Sequence, residues 1–256
     1  MNGEMYQVCC IAAAARKALK EGRDIEYTPV QYEHRIEFQF LPEKKLLGTR
    51  SVKAGDVPEW FNRCRKKGLL DIKMIAPIQV KDRNILGFSN TSQSSLLCFY
   101  KNSQVNFFIP KWEFDDVQKG WNILYTEQEW KNPPREKPEF VNNTEAFSDI
   151  LVKIEELART IECDNFADIF KKARSVLGGE MLPARDSRRV PLPQIPDRQL
   201  SIFEAASMAD VFGAMGSWND SPPYMAHEKG LDQEFEDLSA ELLTQLRMAV
   251  LYAVNG

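Results

Sequence analysis

The hydrophobic pattern of this chain changes period at a proline cluster, and that change narrows the folds open to it. Before Asn132 the apolar residues form short runs or alternate with polar ones; beyond Pro138 they recur every three or four residues. A period of two places alternate side chains on opposite faces of a strand, whereas a period of 3.6 lines one face of a helix. Asn132 to Pro138 holds three prolines among charged neighbours, which interrupts either pattern. The expected fold class is α+β: a mixed region at 1–131 with an antiparallel sheet and flanking helices, a linker at 132–143, and a helical bundle at 144–256.

In the first region Met5, Val8, Cys9, Ala12 and Leu19 share a helical face, closed by Gly22. Ile36, Phe38 and Phe40 alternate with Glu37 and Gln39 as in a half-buried strand. Asp56 to Gly68 reads as a short helix, with Asp56 and Glu59 spaced as a capping box. Further strands are expected at Leu69–Ile75, Ile78–Val80, Ile85–Phe88, Leu96–Tyr100, Val105–Ile109 and Trp121–Tyr125. The gaps between them are mostly too short for parallel crossovers, which favours antiparallel pairing.

In the second region Phe147, Ile150, Leu151, Ile154, Leu157, Ala158 and Ile161 form one stripe, with Thr144 as its expected cap. Helices are also expected from Asp164 to Gly178, from Ile202 to Phe212, and from about Leu231 to Val254. Four such stripes can bury one another as a bundle. Between the second and third lies a Pro/Arg-rich loop at 180–200, read as extended and solvated.

Charge and composition exclude several function classes. The chain carries 33 Lys+Arg against 37 Asp+Glu, a formal net charge of −4, which argues against broad binding to nucleic acid or an anionic membrane. The apolar run Val8 to Ala15 reads as a helix rather than a leader, and no run reaches the length of a membrane span. Five cysteines without repeated spacing read as buried thiols in a reducing, cytoplasmic setting. The two histidines, His34 and His227, lack neighbouring Cys or His partners at zinc-ligand spacing, and no glycine-rich phosphate cradle is present. No cofactor, metal site or catalytic residue is expected.

Two segments stand out as candidate binding elements. Arg185 to Arg198 is the most basic run, with Arg185, Arg188 and Arg189 suited to an acidic partner or a phosphate backbone. Gly213, Met215, Gly216, Ser217, Trp218, Asn219 and Asp220 form a glycine-punctuated loop between two helical patterns. There Gly213 is expected to end a helix in the left-handed conformation, Met215 and Trp218 to turn inward as anchors, and Asn219 and Asp220 to bond neighbouring amides. The loop, set among amphipathic helices, resembles that of a family of small bacterial helical proteins carrying a Gly-Gly-Met-Gly-Ser-aromatic-Asn-Asp loop, often encoded near toxin-related genes. This chain has Ala214 where that family has a second glycine. The resemblance covers about residues 144–256 and assigns no catalytic residue. It implies a bacterial binding protein with a protein partner, an immunity or antitoxin-like factor. The alternatives are a hydrolase or nuclease with a site assembled from scattered residues, and a structural subunit of a larger assembly.

Overall fold

A computed structural model of the chain describes residues 1–45, 48–180 and 191–256, without the side chains of 43–50. The chain is α+β. Helix α1 (Gly3–Glu21) is capped by Asn2, whose side chain accepts from the Met5 N–H at 3.0 Å, and ends at Gly22 with φ of 65°. Alanines at 12–15 let neighbouring elements approach closely. The helix packs on the sheet and on the last helix, and its Tyr6 ring meets Phe203 edge-on at 5.5 Å. It is therefore buried on most of its faces.

Six strands follow: β1 (Glu33–Lys45), β2 (Gly48–Ala54), β3 (Leu69–Ile75), β4 (Ser95–Tyr100), β5 (Val105–Asp115) and β6 (Gly120–Glu129). Helix α2 (Val57–Lys66) connects β2 to β3. Asp56 accepts from the Glu59 N–H at 2.7 Å, while the returning bond of the box goes from Gly55 N–H to Glu59 at 2.8 Å. The sheet order is β2-β1-β6-β5-β4-β3. Four pairings are antiparallel, as expected, but β1 and β6 run parallel, with Ile36 opposite Ile123. That pair is joined through α2 and four intervening strands. No short gap constrains its direction, so gap length could not reveal it.

Alternation along the strands sends Ile36, Phe38, Phe40, Phe108, Ile123 and Tyr125 into the core. Phe38 stacks between Tyr125 and Trp60 at 4.7 Å each, and Phe108 meets Phe38 and Trp60 edge-on. Two expected strands are not strands: Ile78–Val80 is irregular and Arg83–Gly87 is a 3-10 turn. Strand β2, not among the expected strands, lies at the sheet edge, and among its described side chains only Val52 and Ala54 alternate into the core. Residues 130–143 carry no regular structure and cross the outer sheet face, where Trp130 packs on Phe107 at 5.0 Å and the Lys137 ammonium lies 5.0 Å from the Phe99 ring centre.

The C-terminal region comprises α3 (Thr144–Thr160), α4 (Asp164–Leu177), α5 (Asp197–Ala209), α6 (Pro222–Glu228) and α7 (Asp232–Asn255). Thr144 is the first helical residue rather than the cap; Asn142 Oδ1 accepts from its N–H at 3.0 Å. Helices α3, α4, α5 and α7 pack as a closed ring. Residues 191–195 are not simply solvated. Pro193 is buried, and the Pro191 carbonyl accepts from the Tyr6 hydroxyl of α1 at 3.2 Å. One continuous set of buried side chains runs from the sheet through α1 into the helices. At its seam the Asn255 side chain pairs with Met74 of β3 like a strand residue, accepting from its N–H and donating to its carbonyl at 2.8 Å each.

Candidate functional site

Strand β5 continues past Ile109, and this extension builds the most distinctive surface of the molecule. Beyond Phe108 β4 no longer pairs with it, so Pro110 is accommodated on that open side. Asn90 then takes the place of a strand. Its Oδ1 accepts from the Trp112 N–H at 2.8 Å and its Nδ2 donates to the Trp112 carbonyl at 2.9 Å. Asn90 itself sits at φ of 62°, a region asparagine tolerates better than most residues. Trp112 and Phe114 therefore share one face of β5, with Trp121 of β6 beside them. The Trp121 ring meets Phe114 at 5.2 Å and Trp112 at 5.7 Å, both edge-on. The Trp121 N–H donates to the Tyr32 carbonyl at 2.8 Å, which brings the Tyr32 ring to 6.4 Å from Trp112.

The rings of Tyr32, Trp112, Trp121 and Phe88 line a cavity of about 510 Å³ under the first turn of α1, with Phe114 packed against Trp121 beside it. Asn2, Glu4 and Ser89 supply its polar groups. Glu4 is only 6% exposed; its carboxylate accepts from the backbone N–H groups of Asn90 and, at 3.5 Å, Ser92. The rim is apolar and open: Phe88 is 63% and Phe114 49% exposed. The hairpin next to it is set by Asp115, which accepts from Val117 N–H at 2.9 Å and Gln118 N–H at 3.0 Å. These bonds, with Gln118 foremost, hold its carboxyl below the usual aspartate range.

The loop at 212–220 reaches the same place from the helical side. Gly87 lines the cavity and packs so closely on the loop that a Cβ there would overlap the Ala214 nitrogen and stand 2.8 Å from the Gly213 carbonyl carbon. Asn219 Nδ2 donates to the Arg83 carbonyl at 2.9 Å. Met215, one residue beyond this contact, does not turn inward as expected: the backbone there packs on Gly87 and leaves the side chain 94% exposed. Gly216 has φ of 78°, and its N–H donates to Asp220 Oδ2 at 2.8 Å. Ser217 Oγ accepts from the Asn219 N–H at 3.2 Å. Trp218 points the other way, fully buried, donating to Ser239 Oγ at 2.8 Å among Phe166, Phe170 and Phe235. Gly213 does not end a helix, because α5 stops at Ala209 and Gly213 is not left-handed. Arg185, Arg188 and Arg189 lie outside the described residues.

Other polar clusters are more self-contained. A cavity of about 160 Å³ is lined by Cys10, Tyr27 and Glu33 and covered by Pro191. Glu33 accepts from the Tyr27 hydroxyl at 2.9 Å and Val30 N–H at 3.0 Å, and burial pushes its carboxyl above the usual range. Burial, reinforced by Glu33, pushes the Cys10 thiol up to about 12. Such a thiol is a poor nucleophile. A groove of about 680 Å³ is lined by Arg16, Lys17 and Lys20, but Asp71 and Glu21 line it too, and Arg16 lies 3.5 Å from Asp71. His34 approaches Asn122 at 3.4 Å and His227 approaches Asp232 at 2.9 Å, both exposed. Among the described residues no group of three His, Cys, Asp or Glu side chains could hold a metal ion, and no helix is long and apolar enough to cross a membrane.

The aromatic cavity was not anticipated from the sequence. Its signal is the continued alternation of Trp112 and Phe114 with Lys111 and Glu113, which ending the strand at Pro110 concealed. Comparison of the chain with family models, curated proteins and solved structures finds no match.

Proposed function

We propose that this chain is a binding protein for another protein, which docks over the aromatic cavity and the adjoining loop. The observation that carries this reading is the exposed apolar surface at the hollow: Phe88 lines it, Phe114 meets the lining Trp121, and Met215 follows the Ala214 backbone that packs on Gly87. Scattered exposed apolar side chains are ordinary, but a group of them around a concave aromatic surface is the anatomy of an interface centre. The net charge of −4 suits a basic partner. An immunity or antitoxin-like factor, the class implied by the loop's resemblance, is a binding protein of this kind. The enzymatic alternative has less support: His34 and His227 each meet one polar side chain, Asn122 and Asp232, at exposed positions.

The test compares tagged wild-type chain with Phe88→Ser and Met215→Ser variants in extracts of the native host. The wild type should retain a stable partner, and each variant should bind it about tenfold more weakly, equivalent to roughly 1.4 kcal/mol. Melting temperatures should be unchanged, because both side chains face solvent. Absence of a stable partner, or equal retention by all three proteins, would overturn the proposal.

A further inference from the structure

We infer that the aromatic cavity receives an arginine side chain of the protein partner, an inference that rests on the docking reading above. The argument starts from the walls. Tyr32, Phe88, Trp112 and Trp121 line the hollow, and the Tyr32, Trp112 and Trp121 rings lie at 40° and 62° to their neighbours rather than in a flat stack. Angled rings can present more than one π-face to a guest, and each face is the negative part of an aromatic quadrupole. A cation held against such faces is attracted without needing a directional bond.

The polar groups indicate the same sign of charge. Glu4 lines the cavity, and among the described residues no Lys or Arg does. An anionic guest would meet that carboxylate with no cation to offset it. A purely apolar guest would bring no charge to answer the carboxylate. Asp115 lies one residue beyond the Phe114–Trp121 pair, paired with Gly120, and its hydrogen bonds favour the ionised form. Lys119 on the same hairpin is offset by Asp116 at 3.8 Å.

The choice between the two common cations follows from how Glu4 is held. Its carboxylate already accepts from the Asn90 and Ser92 N–H groups. It contributes charge more readily than free lone pairs. A lysine ammonium is strongly hydrated and needs acceptors to replace its lost water, whereas a guanidinium is planar, weakly hydrated and stacks on aromatic faces. Arginine is thus the side chain that walls of rings and a preoccupied carboxylate accommodate best.

The decisive experiment uses the whole chain and three probes: N-acetyl-arginine methylamide, its uncharged isostere N-acetyl-citrulline methylamide, and N-acetyl-lysine methylamide. Each is titrated while the indole N–H signals of Trp112 and Trp121 are followed by NMR. The arginine probe should shift these signals saturably and bind about tenfold more tightly than citrulline, within the range expected for a partly desolvated cation–π site. Equal or tighter binding of citrulline or lysine, or no shift with arginine, overturns the inference. Trp121→Leu should abolish the shift of Trp112, and Glu4→Gln should remove the preference for arginine over citrulline. The comparison of probes on the wild type stands even where a variant fails to fold. Failure of the arginine preference with partner capture still dependent on Phe88 and Met215 would sink this inference alone. An intact arginine preference without a stable partner would sink the docking reading instead.

Discussion

Replacing Trp218 by alanine should destabilise the chain strongly, because this side chain is packed between α4 and α7. It is fully buried, with Phe166 and Phe170 edge-on at 5.2 and 5.3 Å and Phe235 nearly parallel at 5.2 Å. Truncating a large buried aromatic to alanine costs roughly 3–5 kcal/mol, from lost transfer energy plus the cavity left behind. The indole N–H also donates to Ser239 Oγ at 2.8 Å, and Ser239 is itself fully buried. Leaving that hydroxyl without its donor adds about 1 kcal/mol. The total of about 5 kcal/mol corresponds to a melting temperature lower by roughly 10–20 °C for a chain of this size. Trp218→Phe keeps most of the ring contacts and should cost about half as much. Circular dichroism melts, checked by urea midpoints, measure both. A Trp218→Ala protein that melts within about 2 °C of wild type would refute the argument that this residue is a packing anchor, given the scale above. If partner binding were lost at the same time, the buried half of the loop would have to be regarded as part of the site.

Other consequences can be measured in the same way. Gly87→Ala should destabilise by about 1–3 kcal/mol, since its Cβ would overlap the Ala214 nitrogen, and should raise proteolytic cleavage near Met215. Asn255→Ala leaves both the N–H and the carbonyl of Met74 without their buried partner and should cost about 2–4 kcal/mol in urea unfolding. Burial raises the Glu33 carboxyl, so the folded chain holds that proton more tightly than the unfolded one. Stability should therefore fall as pH rises from the ordinary glutamate range through the raised folded value, with the penalty fully present above it. Glu33→Gln should flatten that slope in urea midpoints measured from about pH 4 to about pH 8, bracketing the ordinary glutamate value. An unchanged slope would show that Glu33 is not the group responsible.

The elements that could be read from the chain are those whose burial is imposed locally. The stripe from Phe147 to Ile161 becomes α3, and the alternation at Ile36, Phe38 and Phe40 becomes the core face of β1. Ile85–Phe88 misled for an instructive reason. Its apolar run is short, and its hydrogen bonds are satisfied by a 3-10 turn braced against the 213–214 backbone rather than by a strand. The Pro222-Pro223 pair occupies the first turn of α6, where missing amide hydrogens cost nothing. Trp218 is buried as a large aromatic beside glycines implies, whereas Met215 on the same loop is exposed. The other face of the same loop could not be assessed without its neighbour, the turn at 83–87, more than a hundred residues away.

By itself, then, the sequence determined the α+β class, the change from strands to helices near residue 132, and most of the helices. Each depends on periodicity within about ten to twenty neighbouring residues, the range over which pattern reports burial. Only the tertiary structure decided the parallel pairing of β1 with β6, the Asn255 bond that joins α7 to β3, and the cavity. The cavity draws Glu4, Tyr32, Phe88, Trp112 and Trp121 from five separate segments. Such a site has no local signature, because its residues are adjacent only after the chain has paid the entropy of bringing them together.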